Sequence, residues 1–293
     1  MNIIYTWVKM DEDSHSSKGW GNNFIDMAMI SVSAANQYHH TKLYCDKVSK
    51  EFFIKHKIPI NEFVVLDELE NFDSPNWGFA KLISMKYETG KYVHIDFDTI
   101  LTKQPEQKDA SITYGFFELN FGINSTPYRE LEYLFHNYIR NYIRYHKNEI
   151  NDEEWDFKII PNNSYMYVGN ADIIKSNIEE LHEFVEPILG KDDDTLNQYM
   201  EQYLFYKILK DNKVKIKFQS GLKEPNAIQI YHKEILVGNN DYLNEWINTP
   251  CGFFHWPTYN QYTQDEIYPL YKRLWDLFEI KHPMITKKAK ALL

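Results

Sequence analysis

Hydrophobic and polar positions alternate in a way that divides the first hundred residues into strand-length and helix-length pieces. Ile3–Trp7, Lys42–Cys45, Phe63–Leu66 and Tyr92–Ile95 have strand length and composition. Between them lie segments of helical length, Phe24–Ala35 and Val48–His56. A third helix has its apolar residues Phe79, Leu82, Ile83 and Tyr87 on one face. Ser74 suits its N-cap, Pro75 its first position, and Gly90 the point where the chain leaves it. Strand and helix taking turns four times predicts a mainly parallel sheet with flanking helices, an α/β fold.

Beyond residue 100 the pattern loosens. Strands are expected at Ser111–Phe117, Ser164–Val168 and Val214–Phe218. Helices are expected at Tyr128–His146, Ala171–Leu189, Leu196–Leu209 and Asp265–Phe278. No repeat, low-complexity stretch or Gly/Pro/Ser-rich linker interrupts the chain. The expectation is therefore one domain over 1–293. In it, 1–101 forms a ligand-binding half, 102–262 an elaborated second half, and 263–293 a terminal helix and basic tail.

Composition narrows the function classes. The formal net charge of −10 repels phosphate backbones, which argues against a nucleic-acid partner. The tail differs from the rest: Lys281, Lys287, Lys288 and Lys290 stand among Ile285, Leu292 and Leu293, a pattern suited to weak contact with an anionic membrane surface or simply to solvation. Two cysteines, Cys45 and Cys251, are too few for a disulfide framework or a cysteine zinc site. With no signal-like opening and no apolar run of membrane-spanning length, the expected location is the cytoplasm, with peripheral attachment at the inner membrane face as an option. Aromatic residues are abundant (22 Tyr, 18 Phe, 7 Trp), which suits packing and equally the faces of sugars and bases.

The most informative segment is Tyr92-Val93-His94-Ile95-Asp96-Phe97-Asp98-Thr99. Two carboxylates follow an apolar strand, and open parallel sheets bind ligands beyond the carboxyl ends of their strands. If the strand continued, Asp96 and Asp98 would point the same way and converge. Converging carboxylates repel unless a cation or proton lies between them. Hard divalent ions, Mn²⁺ or Mg²⁺, take such oxygen ligands together with substrate phosphates. The alternative is a strand end carrying two solvated turn aspartates.

With Asp96-Phe97-Asp98 placed after the fourth strand, the chain resembles the glycosyltransferases of the GT-A fold, which carry a D-x-D motif there. The resemblance implies a metal-dependent transferase moving a sugar from a nucleotide-sugar, UDP-linked by default, to a hydroxyl acceptor such as a cell-surface glycan. It implies Asp98 as a metal ligand, and Asp96 as a ligand, a water-mediated ligand or a ribose contact. It places Tyr5, Thr6 and Trp7, with Asp46 at the end of the second strand, where base and ribose are held. It makes Lys81 a donor-binding residue, whereas its place opposite the apolar stripe allows a solvated lysine. Phe253-Phe254-His255-Trp256 is similar to the C-terminal segment that supplies a third metal ligand, here His255, although Pro257-Thr258-Tyr259-Asn260 lacks the Gly and Lys that often follow.

The same resemblance assigns the acceptor side to Asn163 and Tyr165, and catalytic candidacy to Glu201 and Asp194. A helix-borne acid such as Glu201 can deprotonate or orient a hydroxyl, and an exposed helix glutamate is the plain alternative. Asp192-Asp193-Asp194 also reads as helix-start chemistry, since Thr195 and Gln198 form a capping box. Two rival functions remain open. Asp96-Phe97-Asp98-Thr99 also matches the first motif of haloacid dehalogenase-type phosphatases, with Asp96 as nucleophile, although that motif normally opens its fold. The other rival is a relative that binds nucleotide-sugar or glycan without turnover.

Overall fold

The computed structural model describes residues 1–8, 23–70, 77–119, 159–185, 199–219 and 253–255, with Asp276, Glu279, Ile280, Pro283, Met284 and Lys287 nearer the C-terminus. The expected helix at Tyr128–His146, the cap at Ser74 and Pro75, and nearly all of Asp265–Phe278 lie outside these residues.

The first half follows the strand–helix alternation. Strand β1 (Asn2–Trp7) is followed by α1 (Asn23–Ala35), β2 (His40–Cys45), α2 (Lys47–Lys55), β3 (Glu62–Val65), the short α3 (Asp67–Glu70), α4 (Trp77–Lys86) and β4 (Tyr92–Ile95). Gly90 adopts φ +69 in the turn into β4, a left-handed conformation that glycine reaches without a Cβ penalty. Beyond β4 come β5 (Thr99–Leu101), β6 (Ile112–Leu119), β7 (Ile159–Val168), α5 (Ala171–Val185), a π-helical turn (Tyr199–Leu204), α6 (Phe205–Asp211), β8 (Ile216–Phe218) and β9 (Phe253–His255).

Seven strands form one sheet in the order β3-β2-β1-β4-β7-β6-β8. Strands β3, β2, β1 and β4 run parallel, β7 is antiparallel to both β4 and β6, and β8 is parallel to β6. The fold is thus α/β with a mostly parallel sheet, as the alternation predicted. The chain moves outward from β1 through β2 to β3, then returns to lay β4 on the other side of β1. The strand order reverses between β1 and β4, and the region beyond the carboxyl ends of the strands at such a reversal is the usual ligand position in these sheets.

Side chains alternate across the strands and build two cores. Ile3, Tyr5, Leu43, Cys45, Val93, Ile95, Tyr165 and Tyr167 face α1, which is buried throughout from Met27 to Ala35, its Ser31 and Ser33 included. Ile4, Tyr44, Tyr92, Met166 and Val168 face α4, α5 and α6. Helix α4 is buried on more than the predicted stripe. It packs against β1, against α5 and against the π-helical turn, so Ala80, Lys81, Ser84 and Met85 are buried together with Phe79, Leu82 and Ile83. Tyr87, expected on the apolar face, lies beyond the helix end and is exposed. Among the described residues, no helix is long and apolar enough to cross a membrane.

Candidate functional site

Strand β4 stops at Ile95. Asp96 still donates its backbone N–H to the Ser164 carbonyl of β7 (2.9 Å), and Thr99 N–H then closes a turn onto the Asp96 carbonyl (3.0 Å). Asp96 and Asp98 therefore share a turn and not a continuing strand, so the alternation expected to aim them together does not operate. Phe97, between them, points into the α1-side core and stacks on Tyr5 (ring centroids 4.6 Å apart). That anchor fixes the turn at the carboxyl end of β4. Asp98 is 8% exposed.

On the other face of the sheet Asp96 meets α4. Lys81 Nζ donates to Asp96 Oδ2 at 2.7 Å. The same ammonium lies 3.1 Å from Glu201 Oε1, at ion-pair distance but without hydrogen-bond geometry. Lys81 is 8% exposed and Glu201 1%. The solvated lysine and the exposed helix glutamate are therefore both overturned. The cause is tertiary: α5 and the π-helical turn cover the side of α4 that a single-stripe helix would leave in water.

Burial alone would push the Lys81 ammonium down, but Asp96 and then Glu201 hold it above the ordinary lysine range. Burial pushes the Glu201 carboxyl up to about 7; Lys81 pulls against that shift and the Asp96 charge adds to it. One buried ammonium between two acids offsets a single negative charge, which is consistent with Asp96 staying ionised while the Glu201 carboxyl is raised.

Glu201 sits in the π-helical turn, a wide turn that occurs often at functional sites. Asn163 of β7 donates Nδ2 to the Glu201 carbonyl at 2.7 Å and is itself buried. Its amide thus ties the turn to the sheet. The expected acceptor residue Tyr165 is 1% exposed and belongs to the α1-side core, so its ring offers no acceptor surface.

The residues assigned to base and ribose divide. Tyr5 is fully buried and its hydroxyl meets Ser31 Oγ at 3.1 Å, a core position with no side-chain surface for a ligand. The Trp7 ring packs among Phe24, Phe53 and Phe97. Asp46 caps α2, accepting from Ser49 N and Ser49 Oγ at 2.8 Å each, and so belongs to the helix start and not to the crevice. Thr6 and Trp7 are both half-buried at the end of β1, and of this group Thr6 turns its side chain toward the polar cluster: Thr6 Oγ1 lies 3.2 Å from His94 Nε2. Sequence reasoning passed over His94. The available signal was one polar residue inside the otherwise apolar run Tyr92–Ile95. It is fully buried, and burial, then the Lys81 charge, pushes its imidazole well below the usual histidine range.

His255 comes close through the backbone. Strand β9 pairs antiparallel with β5, and its register sets His255 opposite Thr99, the residue after Asp98. Asp194 lies outside the described residues. Among the described residues no group of three or more His, Cys, Asp or Glu side chains is arranged to hold a metal ion.

A family model matches residues 1–243. The chain belongs to the family of unknown function DUF6734. No curated protein matches it. Among solved structures, the glycosyltransferase GlyE of Streptococcus pneumoniae TIGR4 is similar over 99% of this DUF6734 chain and 64% of its own, at 12% identity and TM-score 0.43. The apo form of GlyE covers 99% and 63% at 10% identity and TM-score 0.46. The PaToxG glycosyltransferase covers 94% and 84% at 13% identity and TM-score 0.39. The chain thus spans a little under two thirds of the length of the GlyE structures. None of these likenesses reaches a TM-score of 0.5, so the chemistry is read from the site alone.

Proposed function

We propose that this protein is a glycosyltransferase that moves a sugar from a nucleoside diphosphate donor, UDP-linked by default, to a hydroxyl acceptor. The observation that carries this reading is the Lys81–Asp96–Glu201 set, with Lys81 and Glu201 buried and Asp96 partly so, at the reversal point between β1 and β4. A structural ion pair needs no such place. Here one ammonium and two carboxylates stand where an α/β sheet takes its ligand.

Asp98 and His255 are the residues that would hold a hard divalent ion, Mn²⁺ or Mg²⁺. Asp98 supplies a carboxylate beside the crevice, the β5–β9 register brings His255 to its neighbour, and diphosphate oxygens complete the donor set such ions prefer. When bound, the ion neutralises charge building on the leaving diphosphate. Asp96, clasped by Lys81, fits a polar or water-mediated contact better than direct ligation. Lys81, through its ion pairs with Asp96 and Glu201, sets how both carboxylates are presented to the donor. Glu201, with a proton that leaves near neutrality, fits a group that accepts or returns a hydroxyl proton.

The test is a thermal-shift panel of nucleotide-sugars with and without Mn²⁺, followed by donor hydrolysis on any that bind, since a ligand that prefers the native state raises the melting temperature. Mn²⁺-dependent UDP binding with slow donor hydrolysis is the expected result. Binding without hydrolysis or transfer would leave a binding relative. Phosphate release from simple phosphoesters without nucleotide affinity would replace the reading with a phosphatase.

A further inference from the structure

His94 is on β4, two residues before Asp96 and on the same face of the strand. Its Nε2 lies 3.2 Å from Thr6 Oγ1, while its buried Nδ1 has no hydrogen-bond partner among the described residues. A neutral ring carries one proton. If Nδ1 held it, a buried N–H donor would be stranded, and stranded buried N–H groups are rarer than under-satisfied acceptors. The ammonium of Lys81, which acts on this ring electrostatically, also disfavours added positive charge there. The arrangement with least loss puts the proton on Nε2, which then donates to Thr6 Oγ1.

That bond has a consequence for Thr6. Its oxygen accepts from His94, so its own hydroxyl proton is left to donate elsewhere. Thr6 is half-buried near the end of β1, whereas Ile3, Ile4 and Tyr5 are fully buried. The parallel register pairs Ile4 with His94, so Thr6 lies two residues beyond that pair, toward the carboxyl ends of β1 and β4. We propose that His94 is a positioning residue: it holds the Thr6 hydroxyl as a hydrogen-bond donor toward an acceptor oxygen of the nucleoside diphosphate, a phosphate or base carbonyl oxygen. This rests on the nucleotide-sugar reading of the same crevice and assigns a role to a residue that reading leaves unused.

Two measurements test it. The first needs no ligand: ¹⁵N spectroscopy of histidine-labelled full-length protein should show His94 as the neutral Nε2–H tautomer, and an Nδ1–H tautomer overturns the proposal. The second measures UDP affinity in the presence of Mn²⁺ by calorimetry. Thr6→Val and His94→Leu should each weaken UDP by about tenfold, the value of one hydrogen bond to a charged or polar ligand. Because they break one relay, the double variant should be no weaker than the worse single one. His94→Gln, which keeps an N–H near the Nε2 position, should recover most of the affinity, a result that general loosening of β4 does not produce. A wild-type protein that binds UDP, with Thr6→Val and His94→Leu binding it equally well, overturns this inference alone. A wild-type protein that binds no nucleoside diphosphate overturns the glycosyltransferase reading and this inference with it.

Discussion

Lys81 and Asp96, fifteen residues apart in the chain, meet at 2.7 Å between helix α4 and the turn after β4, with both side chains largely out of water. The contact joins the element before the fourth strand to the element after it, and Glu201 adds a third, distant segment. Lys81→Met should leave the buried Glu201 carboxylate and the partly buried Asp96 carboxylate without their cation. Removal of one partner from a buried ionic set costs about 3–5 kcal/mol, so urea denaturation should show a loss of that size. Lys81→Met in the Glu201→Gln background should lose less, because only one carboxylate is then abandoned. Equal losses in the two backgrounds would show that Glu201 is not part of the set.

Glu201 gives the site a pH signature. Its folded carboxyl is raised to about 7, above its unfolded value, so between the two values the native state holds the extra proton. Stability from this group is therefore fully present at acid pH below the unfolded value and is lost as pH rises toward and through about 7. Other carboxylates contribute slopes of their own, so the useful quantity is a difference. Wild-type stability minus that of Glu201→Gln should fall between pH 5 and pH 8 in chemical denaturation. A flat difference would show that Glu201 is ionised in the ordinary carboxylate range.

Asn163 should matter through Glu201. Asn163→Ala removes the donor from the Glu201 carbonyl and leaves a buried acceptor, a loss of about 1–3 kcal/mol. Hydrogen exchange should then speed up in the π-helical turn Tyr199–Leu204 before it does in the parallel strands. Unchanged protection of that turn would mean the Asn163 bond does not hold it.

Asp98 separates metal binding from folding. Asp98→Ala should weaken Mn²⁺-supported UDP binding by at least about tenfold while leaving metal-free nucleotide affinity near wild type. His255→Ala should act in the same direction. Electron paramagnetic titration of Mn²⁺ with the two variants checks both, and ion affinity equal to wild type in each would remove them from the metal site.

The first half of this fold was legible because each local signal agreed with its neighbours. Four apolar runs separated by helix-length segments specify parallel strands with covered faces, and β1, β2, β3 and β4 appear close to where the pattern put them. Asp96-Phe97-Asp98 was legible as a candidate site for the same reason: acids directly after a buried strand have few structural uses. Less could be read after residue 100. Strand β7 begins at Ile159, five residues before the expected start, because its extra length is set by pairing with β6 and not by its own periodicity.

The functional residues show the same division. Chain order and the apolar/polar pattern alone determined the α/β class and set the acidic pair directly after the fourth strand. Only the tertiary structure decided that the pair shares a turn and which side chains surround it. It sent Tyr5 and Tyr165 into the core, because their positions on β1 and β7 face the apolar layer under α1, and Asp46 to a helix cap, because a helix start can use a carboxylate locally. It also buried Lys81 and Glu201, since a helical wheel identifies one apolar stripe but cannot foresee a second layer of helix. His94 shows the limit most plainly: its identity lies in the sequence, while its partners, Thr6 from one strand and the charge of Lys81 from a helix, exist only once the chain has folded.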